Sequence, residues 1–216
     1  MDADRLERQI AFILEVDKLK QVLRRTYLMD GKRRENSAEH SWHLAVMAVL
    51  LSEYAREELE LARVVKMLLL HDVVEIDAGD TFAYDEAAHA DKNERERRAA
   101  ERIFNLLPAE MAGEVFALWE EFEAGATPEA KYAEALDRLQ PILLNHGSGG
   151  IAWREHGISS EQVIARNRHI ELGAPALWAY VRGLIDRAEN AGTLRRERDR
   201  AESERPPVGR DRTGQT

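Results

Sequence analysis

Apolar residues recur at intervals of three and four along most of this chain, and a two-residue alternation takes over nowhere. An amphipathic helix needs that rhythm to bury one stripe, so the chain is expected to be all-α, with helices packed on helices. Six prolines in 216 residues leave long stretches uninterrupted. The spacing predicts a first helix over about Asp4 to Arg25, broken by Asp30-Gly31. A second starts at Asn36, with Glu39 three residues on at the spacing of a capping box, and runs to about Glu57. A third covers about Glu60 to Val74, and its nearly all-apolar run Val64 to Leu70 belongs at the centre of the domain. Ile76 to Ala90 reads as a loop. Later helices are expected near Lys92–Leu107, Ala109–Ala124, Glu129–Leu144, Ser160–Glu171 and Ala174–Glu189, with Asn145 to Gly150 as a flexible connection.

The domain is expected over residues 1–192. From Thr193 to Thr216 apolar residues nearly vanish, and the interleaved arginines and acids read as a solvated, disordered tail. Acids outnumber bases 40 to 31, a net charge of −9, which lacks the field that non-specific nucleic-acid binding requires. No nucleic-acid partner is expected, and an anionic substrate would need a local basic site. There is no cysteine, which excludes disulfides, thiolate zinc sites and thiol nucleophiles and fits the reducing cytoplasm as the expected location. The N-terminus is charged and amphipathic rather than leader-like. The longest apolar stretch, Leu44 to Leu51, falls far short of the roughly 20 residues that span a bilayer, so no membrane partner is expected.

Three segments carry chemistry. They are Asn36 to His43, Leu70 to Asp80, and Glu134 to Gln140. His71 and Asp72 end a strongly apolar helix, where a carboxylate is costly unless paired or metal-bound. Neighbours on a helix differ by about 100° in direction, yet both can reach one ion at a helix end if the backbone tightens there. Asp137 stands in an apolar stretch where a core residue would be expected, and His40 lies in the first turn of its helix. Two imidazoles and two carboxylates make a mixed nitrogen and oxygen site. It suits Mn²⁺, Co²⁺, Fe²⁺, Zn²⁺ or Ni²⁺, with Mg²⁺ also a candidate, and leaves positions for water and substrate. Trp42 is expected to pack rather than stack on a base, and Trp119, Trp153 and Trp178 to lie in the core or at a subunit contact. His43, one turn after His40, is read either as a donor behind the site or substrate contact, or as a half-buried histidine. His89, His146, His156 and His169 have no ligand-like spacing.

The order His40, His71-Asp72, Asp137 resembles the HD superfamily of metal-dependent phosphohydrolases. The flanking text Arg33 to His43, with Glu75 and Gly79-Asp80 after His71-Asp72, is similar to the bacterial 5′-deoxynucleotidases and their eukaryotic HD-domain relatives. The resemblance implies an HD-domain helical bundle with one divalent metal ion on His40, His71, Asp72 and Asp137. It implies Glu75 and Asp80 as the carboxylates that orient water or protonate the leaving oxygen. It implies a phosphate-binding arginine near the end of the first helix, which is Arg24 here, or else Arg25, aided by Lys32 or Arg33. It also implies a homodimer. The chain departs from the deoxynucleotidase pattern directly after Arg24, where Arg25, Thr26 and Tyr27 stand in place of tryptophan. The expected activity is a 5′-nucleotidase, releasing phosphate from (deoxy)nucleoside 5′-monophosphates as its small-molecule substrates. The alternatives are a phosphohydrolase or phosphodiesterase for another small ester, or a non-catalytic metal-binding module.

Overall fold

The computed structural model describes residues 3–85, 87 and 90–197. Helix α1 (Ala3–Val16) passes through a 3-10 turn at Asp17–Gln21 into strand β1 (Leu23–Tyr27), which pairs antiparallel with β2 (Arg34–Asn36). The remaining helices are α2 (Ser37–Leu51), α3 (Leu61–Leu70), α4 (Glu75–Ala78), α5 (Lys92–Phe104), α6 (Ala109–Ala124), α7 (Pro128–Gly147), α8 (Ile151–Glu155), α9 (Ser160–Asn167), α10 (Ile170–Gly173) and α11 (Pro175–Asn190).

The fold is mostly helical, as expected, with one correction at its start. The first helix ends at Val16, and Leu23 to Tyr27 is a strand rather than its continuation. The hairpin closes on local bonds: Leu28 N–H donates to Arg33 O at 3.0 Å, Gly31 N–H to Leu28 O at 2.8 Å, and Ser37 N–H to Val22 O at 3.0 Å. Gly31 takes φ 69°, a left-handed turn conformation that glycine adopts without a Cβ penalty. Asn36 then caps α2: its side chain accepts from Glu39 N–H while the Glu39 carboxylate accepts from Asn36 N–H, the predicted capping box. Asn145 to Gly147, expected as a flexible connection, instead complete α7, with Asn145 buried.

Two apolar clusters organise the chain. The larger joins α2, α3, α7, α10 and α11 through residues such as Leu44, Leu68, Leu136, Leu139 and Val181. The smaller joins α5 and α6 to Phe12 and Leu19, with Phe104, Phe116 and Trp119 packed edge to face. A 3-10 turn, His71–Val74, bridges them: it follows α3, which belongs to the first cluster, and sends Val73 and Val74 into the second. The segment carrying His71 and Asp72 is therefore pinned from both sides. Trp153 is in the larger core, Trp119 in the smaller one, and Trp178 packs against the larger.

Helix α7 crosses this seam. Thr127 caps it by accepting from Ala130 N–H, and Pro141 lies inside it. α10 packs so closely on α7 that a Cβ on Gly173 would stand 2.2 Å from Lys131 O. Beyond α11 the chain turns back. Leu194 is 2% exposed, and Ser160 N–H donates to Arg195 O at 2.9 Å. The tail from residue 198 onward lies outside the described residues, as does His89.

Candidate active site

At the seam, side chains from four elements converge. α2 supplies His40, the 3-10 turn supplies His71 and Asp72, α7 supplies Asp137, and β1 supplies Arg24. His40, His71 and Asp72 each offer a ligand atom within 4.8 Å of the others, a spacing that one metal ion can span. Asp137 Oδ1 lies 2.8 Å from His40 Nε2 and 3.9 Å from His71 Nε2, so its carboxylate faces the same point.

The imidazoles are set up to present Nε2. His71 Nδ1–H donates to Leu68 O at 2.9 Å, while its Nε2 is buried without a hydrogen-bond partner. Such an orphaned nitrogen beside two carboxylates fits a cation, because burial without a partner is otherwise unfavourable. His40 is fully buried, and its Nδ1–H donates to Gln140 Oε1 at 3.1 Å. Gln140 Nε2 donates in turn to Glu35 Oε1 at 2.6 Å and to His43 Nδ1 at 3.2 Å, which fixes the orientation of the amide. Burial and Arg24 push the His40 pKa down, but hydrogen bonds to Asp137 and Glu35 outweigh them and hold it up at about 9. For Asp137, burial is outweighed by the bond from His40 and by the charges of His40, His71 and Arg24, and its pKa lies well below the usual carboxylate range. A metal ion taking the His40 nitrogen would release its proton.

Arg24 faces the same centre. Its Nη1 lies 2.9 Å from Asp72 Oδ2 and 3.7 Å from Asp80 Oδ1. Burial works against its charge, but Asp72, Glu75, Asp80 and Asp137 raise its pKa above the usual arginine value. Glu75 is buried and accepts from Ser37 Oγ at 2.6 Å. Burial first, then the Asp72 charge, raise its pKa well above the ordinary value. Asp80 is raised too, again mainly by burial. Two carboxyls that hold a proton more readily than an exposed carboxylate thus border the candidate metal centre. Gly79, at φ 74°, makes the turn between them.

Arg24, His71, Asp72, Glu75, Asp80 and Asp137 border one cavity of about 490 Å³, and His40 is fully buried behind it. Its far walls carry groups that spacing did not single out. Lys92 Nζ lies 3.4 Å from Glu96 Oε1, Glu123 stands nearby, and Phe122 packs its ring 4.8 Å from that of His71. Glu96 is 4% exposed, with Oε2 buried and unpartnered, and burial pushes its pKa up to about 7. The one advance signal was Lys92 and Glu96 at i and i+4 on a predicted helix, a spacing ordinarily read as a surface pair. Phe82, Tyr84 and Trp153 add aromatic surface.

Three expectations fail here. Arg24 comes from a strand, not a helix end. Lys32 pairs with Asp30, and Arg33 is bidentate with Glu39, so neither lines the cavity. Trp42 is 65% exposed rather than packed. His43 is half-buried and accepts from Gln140 Nε2 behind His40, which fits the half-buried, hydrogen-bonded histidine of its second reading. His156 and His169 do line or border the cavity: His169 is on its wall, and His156 stacks 4.6 Å from Phe82.

The chain is similar to several known proteins. It is 33% identical over 135 residues to 5′-deoxynucleotidase HDDC2 of Homo sapiens, covering 62% of this chain and 65% of that protein. The namesake from Danio rerio is 30% identical over 142 residues, covering 65% of this chain and 70% of that one. The chain thus spans just under two thirds of the length of the human relative. A crystal structure described as a predicted metal-dependent phosphohydrolase from Magnetospirillum magnetotacticum is 53% identical, with TM-score 0.85, covering 89% of this chain and 96% of that one. A conserved hypothetical protein from Pyrococcus furiosus shares the fold at 22% identity and TM-score 0.59, covering 84% of this chain and 99% of that one. The pattern of the HD domain family matches residues 16–178, most of the chain and every converging side chain described above, and the chain belongs to that family.

Proposed function

We propose that this protein is a metal-dependent phosphohydrolase that cleaves nucleoside 5′-monophosphates, deoxynucleotides among them, to nucleoside and phosphate. The carrying observation is the buried, unpartnered Nε2 of His71, set beside His40, Asp72 and Asp137 and across from Arg24. The names of the curated relatives support the substrate class.

In this reading His40, His71, Asp72 and Asp137 hold one divalent ion, which when bound polarises a phosphoryl oxygen and lowers the pKa of water. Arg24 neutralises the non-bridging phosphate oxygens. Glu75, anchored by Ser37, holds a proton acceptor at a fixed point in the site, and Asp80 stands beside Arg24. One of the two orients water and the other protonates the leaving 5′ oxygen. The cavity volume suits a nucleotide-sized molecule, and Phe82, Tyr84 and Trp153 supply flat apolar surface for its base.

The same reading includes a homodimer and a cytoplasmic location. Trp42, Val46, Val49 and Leu50 are exposed at i, i+4, i+7 and i+8 of α2, a stripe of the kind that a second copy covers. Among the described residues no helix is long and apolar enough to cross a membrane, and the sequence carries no cysteine.

The test is phosphate release from deoxyribonucleoside and ribonucleoside monophosphates, a nucleotide diester and a simple aryl phosphate. It is run with Mn²⁺, Co²⁺, Mg²⁺ and chelator in parallel. Chelator-sensitive release from the nucleoside monophosphates is expected. Preference for the diester or the aryl ester would replace the substrate assignment, and metal uptake with no turnover on any ester would leave a binding module.

A further inference from the structure

Two buried atoms of opposite charge face each other without a hydrogen bond. They are Arg24 Nε and Glu35 Oε2, 3.8 Å apart; neither makes a hydrogen bond, and Glu35 Oε2 also lies 3.6 Å from His40 Nδ1. Glu35 sits on β2, directly before the Asn36 cap, and is 2% exposed. Its other oxygen accepts from Gln140 at 2.6 Å, and Gln140 accepts from His40 Nδ1–H at 3.1 Å. One carboxylate therefore faces the guanidinium side and, both directly at 3.6 Å and through one amide, the imidazole side of the same centre. We infer that Glu35 is a positioning residue that aligns Arg24 for the substrate's phosphate and, through Gln140, orients His40 for the metal. The inference rests on the phosphohydrolase reading above.

The geometry explains why a carboxylate is needed there. Arg24 Nη1 is bonded to Asp72 Oδ2. A phosphate oxygen would draw the guanidinium away from Asp72 and leave that carboxylate free for a cation. As the guanidinium turns, Nε needs a shift of only about 0.9 Å to reach ordinary hydrogen-bond distance from Glu35 Oε2. A glutamine at 35 could still accept from Gln140, but its amide nitrogen would then face Arg24 Nε, donor against donor. A leucine at 140 would take away the 3.1 Å acceptor of His40 Nδ1–H and leave it only the longer 3.6 Å contact with Glu35 Oε2. The two halves of the inference are thus separable.

The experiment measures two constants on each purified, folded variant: Mn²⁺ affinity of the chelator-treated protein, and inhibition by inorganic phosphate of the Mn²⁺-saturated protein. Thermal midpoints are recorded alongside. Glu35→Gln should weaken phosphate about 10-fold while Mn²⁺ affinity stays within about 3-fold, because Arg24 loses a charge-assisted partner. Gln140→Leu should weaken Mn²⁺ roughly 10–100-fold, with phosphate inhibition at saturating metal little changed. Combining Glu35→Gln with Gln140→Glu keeps an acceptor for His40 that Gln140→Leu lacks, so Mn²⁺ affinity should stay well above that of Gln140→Leu while phosphate inhibition stays weak. If Glu35→Gln does not fold, Glu35→Asp, which keeps the charge but withdraws it by one methylene, is measured on the same terms. Unchanged phosphate inhibition in these Glu35 variants, or a lowered thermal midpoint with both constants unchanged, overturns the inference. Failure of the wild type to take up Mn²⁺ or to release phosphate would instead overturn the reading beneath it.

Discussion

Arg24 and Asp72 are hydrogen-bonded at 2.9 Å across the centre of the site, although 48 residues separate them in sequence. The contact exists because the hairpin swings β1 over the turn that ends α3. It joins the cation expected at the phosphate to a carboxylate expected at the metal, so neither can be altered alone.

Changing Asp72 to Asn removes the charge of a proposed ligand and the partner of Arg24 together. Metal content, measured after dialysis against micromolar Mn²⁺, should fall from about one ion per chain to near zero, a loss of affinity beyond the roughly 100-fold seen for residues behind a ligand. Full retention of the ion would remove Asp72 from the ligand set.

Glu75→Gln should behave differently. Bound metal stays near one per chain, but turnover falls by about 10²–10⁴, the range for loss of a general acid or base. Loss of the ion in this variant would make Glu75 a ligand instead.

Much of this centre was legible in advance. His71, Asp72 and Asp137 are polar residues in or at the end of apolar runs, which made them conspicuous, while His40 was placed by the first turn of its capped helix. The capping box at Asn36 and Glu39 and the helix Ala109–Ala124 were equally plain, because caps and apolar periodicity are local. The hairpin was not. Leu23 to Tyr27 has no alternation, and its strand is held by main-chain bonds to Arg33 and Ser37, partners that no local pattern announces. Glu35 and Gln140 were hidden for a related reason. Each looks like a surface residue until tertiary packing encloses it, although Gln140, three residues after Asp137 in an apolar helix, was a usable sign.

Glu96 gives a pH test. Its folded-state pKa of about 7 exceeds the ordinary 4.5, mainly through burial. The folded protein therefore binds more protons than the unfolded one between these values. The stabilisation is complete below about pH 4.5 and is lost as pH rises through 7. Glu96→Gln, which cannot ionise, should flatten that decline and stabilise the chelator-treated protein at pH 8 by roughly 1–3 kcal/mol relative to its effect at pH 5. Denaturant melts at both pH values measure this; equal effects at both would mean the group titrates normally.

The exposed α2 stripe predicts assembly. Replacing Val46 and Leu50 with Glu should convert a dimer to a monomer in sedimentation at micromolar concentration, with the thermal midpoint nearly unchanged for the monomeric fold. A wild type that sediments as a monomer would remove the dimer from the proposal.

Gly173→Ala should cost about 1–3 kcal/mol of unfolding free energy, because its methyl group would meet the Lys131 and Tyr132 backbone, which cannot step aside as a side chain could. Urea unfolding measures the loss.

The return of the chain after α11 decides where it can be trimmed. Ending it after residue 192 would look harmless from composition, since the residues beyond are mostly charged or polar and Leu194 is one of few large apolar ones. Yet that cut would strip a plug from the larger apolar cluster and take away the Arg195 carbonyl that meets the first turn of α9. Ending it after residue 197 keeps both, so five residues separate a damaged body from an intact one.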